Sequence, residues 1–286
     1  MGEILSALLQ AASFGTPILF AALGGLLGER AGVVNLGMEG VLSVAALAGF
    51  AVLYGGAPLG LALLAAMLAG AALCALHALA SVTLRANQFV SGLALALLGV
   101  GLAGLLGKRF EGFPLIERAP EWPFVVLAVL LSLLAALFLG ATKAGLVLRS
   151  TGENPAAVDA LGYGVPAVRW LATLAGGAVA GLGGAFLSLA YRPAWTDGMV
   201  GGLGWVAVAL VIFVGWSPVR AIFGALFFGL LYYLQFRLQG TSGIPTEVFA
   251  ALPYLLVIVV LALAGSRGRG GHAPAALGRP FERGSR

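Results

Sequence analysis

The chain has 286 residues, 60% hydrophobic and 9% charged, with a mean hydropathy of +1.03. Long apolar runs with so few charges exclude a soluble domain and mean transmembrane helices; the short alternating segments of a membrane β-barrel are absent. The formal charge of +5 comes from the tail, where Arg267, Arg269, Arg279, Arg283 and Arg286 face one acid, Glu282, leaving 11 basic and 10 acidic residues in the body, so the basicity is not that of a nucleic-acid-binding surface.

Hydropathy predicts an all-α polytopic membrane protein of about nine spans, within a range of eight to ten. The first, near 4–27, follows a start (MGEILSALLQ) without a basic n-region, and is expected to be a permanent span rather than a cleaved signal. Spans near 36–55, 57–82 and 89–107 follow. The third holds His77, expected to be neutral and hydrogen-bonded, and Cys74, the sole cysteine, which excludes a disulfide framework and reads as a small buried hydrophobe. The fifth lies near 122–141 and the sixth near 166–190. The sixth includes GGAVAGLGGA (Gly176 to Ala185), whose small residues four apart let helix backbones approach closely; Gly24-xxx-Gly28 ends the first span in the same way. Such stripes serve tight packing or a sliding surface. The seventh, near 203–215, is short for ~30 Å of hydrocarbon and reads as re-entrant or broken. The last two lie near 218–236 and 248–264. Trp122, Trp195, Trp205 and Trp216 fall near span ends, as interfacial anchors do. Residues 1–264 are thus one membrane domain and 265–286 a basic tail.

A basic tail marks the cytoplasmic side by the positive-inside rule. Counting back from it places 11 basic residues inside and 5 outside, with the N-terminus outside. On this topology Ser150 to Val165 (STGENPAAVDALGYGV) faces the cytoplasm. Asn154 suits an N-cap, Pro155 the first helical position and Gly162 a left-handed position after the last turn, with Glu153 at the positive end of the helix dipole. The segment encodes a short capped helix outside the bilayer, with Val158 and Leu161 three apart on one face and Asp159 beside them. Such a helix is marginal alone. Strong caps plus an apolar face favour docking into a groove on another protein over resting on headgroups.

LRSTGENPAAVDALGYGV resembles the cytoplasmic coupling segment of ABC importer permeases of the ribose, branched-chain amino acid and nucleoside group. GERAGVVNLGMEG (Gly28 to Gly40), ANQFVSGLALALL (Ala86 to Leu98), WVAVALVIFVGWSPVRAIFGALFFG (Trp205 to Gly229) and the tail APAALGRPFERG resemble further blocks of its nucleoside and simple-sugar branch, closest to the smaller permease of nucleoside importers. The resemblance covers nearly the whole chain. It implies a bacterial inner-membrane permease with a cytoplasmic C-terminus, working with an ABC ATPase that binds ATP and Mg, an extracytoplasmic solute-binding protein and a second, related permease as a heterodimer. It implies that Gly152, Glu153, Asn154, Pro155, Asp159 and Gly162 transmit ATPase closure to the spans. Arg149, just before them, is either a partner for an ATPase acid or a positive-inside anchor.

Candidates for the pathway are the polar residues at depth. Asn35 and Glu39 share a helical face at the start of the second span, either as a pathway contact or as a helix–helix hydrogen bond fixing the break after GERAGVVN. Asn87, Gln88 and Ser91 open the fourth span; Gln88 and Ser91 can share a face, and Asn87 suits a cap. Catalytic motifs are absent: Gly107-Lys108 is followed by Arg109 and lacks the phosphate-loop spacing, and there is no HExxH, metal-ligand cluster or nucleophile elbow. The chain reads as a transport subunit and not an enzyme, without cofactor or metal of its own. An ion-coupled carrier or channel acting alone is the alternative. It would more often carry several intramembrane acids, and only Glu39 is a clear candidate here.

Overall fold

The computed structural model describes residues 2–238 and 273–283, with isolated helical positions at 248, 251, 255, 258, 259 and 262. The helices in chain order are α1 (Gly2–Arg30), α2 (Met38–Tyr54), α3 (Leu59–Ala78), α4 (Gln88–Gly107), α5 (Trp122–Ala141), α6 (Lys143–Glu153), α7 (Pro155–Ala160), α8 (Val165–Phe186), α9 (Leu203–Phe213) and α10 (Pro218–Leu238). α3 and α8 each end in a π-helical turn, Leu79–Thr83 and Leu187–Tyr191. The described residues form no strand beyond two isolated bridges that join loop 111–114 to Ala194 and Trp195.

Six of these helices are long and apolar enough to cross a membrane: Gly2–Arg30, Leu59–Thr83, Gln88–Phe110, Trp122–Ala141, Val165–Tyr191 and Pro218–Leu238. The count differs from nine for particular reasons. α2 has 17 residues because the non-helical break 31–37 takes the start of its apolar run. α9 has 11 residues, roughly 16 Å at 1.5 Å per residue, about half the hydrocarbon thickness. Of the expected ninth span, 248–264, only the scattered helical positions named above are described.

α8 is the central helix. It packs against α1, α2 and α3, while α1 also carries α9, α10 and α5, and α4 lies against α2. Of α8's most apolar window 72% is buried, against 22% for α5, so α5 presents most of its surface outward. The small-residue stripe makes this centre possible. A Cβ on Gly176 would collide with the Gly24 carbonyl and vice versa; one on Gly177 would meet the Gly70 carbonyl at 2.5 Å and Cys74 at 2.7 Å. Backbone touches backbone along both crossings, the packing role of the two open at the sequence level.

Two tryptophans expected at interfaces are buried instead. Trp195 is packed beneath Gly107 at the loop end of α4, and Trp216 is held by α1. Trp122 is exposed, as an anchor should be.

Candidate functional site

At one end of the bundle lie the C-terminus of α1, the α3–α4 connection, α6, α7, the start of α8 and the tail 273–283. Thr142 caps α6, accepting from Gly145 N at 2.9 Å. The stretch 143–153, which hydropathy leaves as connection, is a helix with polar and apolar sides. Asn154 ends α6 and caps α7: its Oδ1 accepts from Ala157 N at 3.1 Å, and Pro155 occupies the first turn. Gly162 follows with φ +86°, a conformation that favours glycine, and Tyr163 N returns to the Val158 carbonyl at 3.2 Å.

The expected apolar face of α7 is split. Val158 is 2% exposed and turned into the chain, whereas Leu161 is 77% exposed, with Tyr163 exposed beside it. The reason is the turn itself: Leu161 is already the C-cap, off the helical register, so the three-residue spacing no longer sets a common face. Asp159 is ion-paired with Arg283 at 3.0 Å. Glu153 accepts from Ala275 N at 3.2 Å, and the Gly152 carbonyl from Ala276 N at 2.8 Å. Gly152 also sits directly on the Arg30 carbonyl, where a Cβ would collide. Arg149 is half-buried; its Nε has no hydrogen-bond partner, and it makes no ion pair among the described residues. It lies close enough to Arg30, with Arg220 and Glu153, to form one charged cluster on this end.

The pathway candidates cluster around the α1–α2 break, and most are already engaged. Val34 N donates to Gln88 Oε1 at 2.7 Å, and the Val34 carbonyl is 2.8 Å from His77 Nε2. The other ring nitrogen of His77 lies 3.0 Å from Ser91 Oγ, so the histidine is hydrogen-bonded inside the bundle as expected. Asn35 accepts from Gly37 N at 2.8 Å and donates weakly to Cys74 Sγ at 3.4 Å. Glu39 is buried, and its two oxygens accept from Gly202 N and Gly204 N, both at 2.8 Å. It thereby satisfies the free N–H groups at the start of the half-length α9, where the helix dipole favours a negative charge. Gln88 is buried with its Nε2 unpartnered. Asn87 caps α4, accepting from Phe89 N and Val90 N at 3.0 and 3.1 Å, and is exposed. Asn87, Ser91 and His77 border one recess of about 550 Å³ between the outward faces of α3 and α4.

Three groups escape sequence reasoning. Glu29 accepts from Trp216 Nε1 at 2.5 Å, and Arg30 donates through Nε and Nη2 to the Trp216 carbonyl at 2.9 and 2.7 Å. Together they hold the α9–α10 turn, where Trp216 has φ +54°. Arg169, one of the 11 basic residues counted on the inner side, is 1% exposed and donates to the carbonyls of Ala31 and Arg279 at 3.2 and 2.8 Å. A charge four residues inside an apolar helix start was the available signal, since a cation there needs partners.

Residues 7–261 match the family model described as "Branched-chain amino acid transport system / permease component". The chain is 36% identical to the "Putative glucose ABC transporter permease protein TsgC13" of Haloferax volcanii, covering 91% of each chain. It is 34% identical to the guanosine ABC transporter permease protein NupQ of Bacillus subtilis, covering 99% of each. A solved ABC transporter in an inward-facing conformation has a similar fold, with a TM-score of 0.50 at 19% identity over 91% of this chain and 85% of that one.

Proposed function

The chain belongs to the family of branched-chain amino acid transport system permease components, and on that premise we propose that it forms one half of an import pathway for nucleosides or simple sugars. It is a multi-pass membrane protein and a transport subunit of the ABC type rather than an enzyme; an ATPase and a solute-binding protein are the partners its family implies.

In this reading the bundle end carrying α6, α7 and the tail faces the cytoplasm, α7 is the coupling helix and Arg149 to Gly162 meet the ATPase. The observation that carries it is α7 itself. It is a six-residue helix set outside the apolar bundle, closed by Asn154 at one end and Gly162 at the other, and it offers Leu161 and Tyr163 outward. Arg149, without an ion pair among the described residues and clustered with Arg30 and Arg220, suits an acidic partner surface. The apolar short helices α2 and α9, and the apolar stretch 248–264, complete nine membrane-embedded segments.

The solute reading rests on charge. The buried carboxylates Glu29 and Glu39 are both occupied by donors of the chain, which leaves neither of them free for ion coupling and suits an uncharged, hydroxyl-rich solute. Of the five pathway candidates, Asn87 and Ser91 reach a surface recess, Asn35 and Gln88 serve the break, and Glu39 holds the start of α9. A second permease, a related chain, closes the pathway from the other side.

The test is uptake of labelled guanosine, ribose, glucose and leucine in a transport-deficient host carrying this chain with its ATPase, binding protein and second permease. Guanosine or sugar uptake is expected, with loss when Glu153 and Asn154 are both changed to alanine while membrane expression holds. Uptake by this chain alone that survives the double change would sink the reading in favour of a self-sufficient carrier.

A further inference from the structure

The tail 273–283 is tied to three separate elements by groups that are mostly backbone or buried. One turn, Pro274 to Gly278, does most of it. Leu277 N closes on the Pro274 carbonyl at 2.9 Å, and Gly278 continues at φ +75°. From this turn Ala275 N and Ala276 N reach Glu153 and the Gly152 carbonyl, and Gly278 N reaches the Gly32 carbonyl at 3.2 Å. Arg169 of α8 sits beneath, its guanidinium shared between the Ala31 and Arg279 carbonyls. At the rim, Arg283 meets Asp159 and Arg85 meets Glu282 at 3.5 Å.

The two rim pairs are weak links, being solvent-screened. The Ala275–Glu153 bond is exposed too, but those on Gly152, Gly32 and Arg169 involve buried groups. If the tail parted from the body, a buried guanidinium would lose a carbonyl, and the carbonyls of Gly32 and Gly152 would lose their N–H partners; such groups do not separate without new partners. The tail therefore holds the α6–α7 segment, the α1–α2 break and α8 in fixed relation. The break is a short piece: Ala31 and Gly32 under the tail are followed at once by Val34, which is bonded to His77 of α3 and Gln88 of α4. A displacement of residues 152–159 thus reaches the start of α4 through the tail and the break.

We propose that residues 273–283 are a transmission splint: they make the α6–α7 segment and the α1–α2 break one body, so that movement imposed on α7 is delivered to α3 and α4 at the recess beside Asn87 and Ser91. Arg169 is its positioning residue. The proposal rests on the reading that α7 meets the ATPase. That premise is tested separately by the Glu153 and Asn154 changes, which act whether or not the tail transmits anything.

The experiment uses the complete transporter in proteoliposomes, with labelled guanosine, ribose and glucose as probes, and measures solute taken up per ATP hydrolysed. A chain ending at residue 272 is expected to keep binding-protein-stimulated ATPase activity within twofold while uptake per ATP falls tenfold or more. An unchanged ratio overturns the proposal, since a tail that only stabilises the fold lowers both rates together. Where the shortened chain does not assemble, a tether decides. Pro166 of α8 and Phe281 of the tail line one cavity, and Cys74, the only native cysteine, is buried. Pro166→Cys with Phe281→Cys, bridged by a short bis-maleimide, is expected to transport within twofold of the unbridged protein. A tenfold loss on bridging, reversed with a cleavable linker, would mean that the tail must leave α8 during transport and would overturn the splint.

Discussion

Replacing Gly177 with alanine is the sharpest probe of the bundle's centre. The new Cβ would lie 2.5 Å from the Gly70 carbonyl oxygen and 2.7 Å from Cys74 Sγ, where ordinary contact begins near 3.4 Å. The nearer obstacle is backbone, which cannot rotate aside, so α3 and α8 must move apart by nearly 1 Å. Forcing one carbon into a packed crossing costs about 1–3 kcal/mol. For a chain of this size that lowers the melting temperature by roughly 2–12 °C. Gly101→Ala in α4 is the control: nothing lies within 4 Å of its Cβ, and alanine should gain up to about 1 kcal/mol from helix propensity. The assay is built in, because Cys74 is the only thiol and is buried, so a fluorogenic maleimide reports unfolding of the detergent-solubilised chain. Gly176→Ala, which strikes the α1 crossing without touching the thiol, guards against a purely local change in Cys74 reactivity. Both variants melting with wild type would refute the packing argument and return the stripe to a surface that slides.

Glu39→Gln keeps one acceptor but turns an NH₂ toward the second of two backbone N–H groups; it should cost about 1–3 kcal/mol in the same melt, with little change in the solute concentration for half-maximal uptake. A large shift in that concentration with an unchanged melt would make Glu39 a solute contact. Glu29→Gln retains the acceptor for the Trp216 indole and should melt near wild type, whereas Trp216→Phe strands a buried carboxylate and should lose at least about 1–3 kcal/mol; equal melts would discount that bond. Asn154→Ala removes the α7 cap, worth about 1 kcal/mol, and should raise amide exchange over 155–162 roughly fivefold, with Asn154→Asp nearly unchanged.

Much of the fold was legible because its signal is local. Six long apolar runs became six long helices, and the Asn154, Pro155 and Gly162 caps became a helix with those ends, since caps and hydropathy act within one turn or one span. What was not legible depends on distant backbone. Trp216 looked like an interfacial anchor because its sequence neighbours cannot reveal that Glu29 and Arg30, nearly 190 residues earlier, seize its indole and carbonyl. The tail read as a charge tag. Its role as a brace rests on the N–H groups of Ala275, Ala276 and Gly278, which every sequence possesses and none advertises. Val158 and Leu161 failed as a pair for a related reason: the helix ends between them, and periodicity holds only within a helix.

The buried polar groups share a logic that bears on how the protein moves. Glu39 grips the N–H groups at the start of α9, while Glu29 and Arg30 grip the turn at its end. Their partners are mostly backbone, so each bond fixes an element and not merely a rotamer. α9, too short to span and too apolar to leave, is thereby fastened at both ends to the α1–α2 region and cannot shift without it. The α3–α4 pair is held differently. It is linked to the break by His77 and Gln88, and to itself by the His77–Ser91 bond, with largely exposed apolar faces beyond. Opening the recess between α3 and α4 must therefore stretch the His77–Ser91 contact together with the bonds that tie His77 and Gln88 to Val34, whereas moving α9 relative to α1 must break the bonds from Glu29 and Arg30 to Trp216. The first coordinate lies where Asn87 and Ser91 line the recess, and the bonds that resist it all converge on the break.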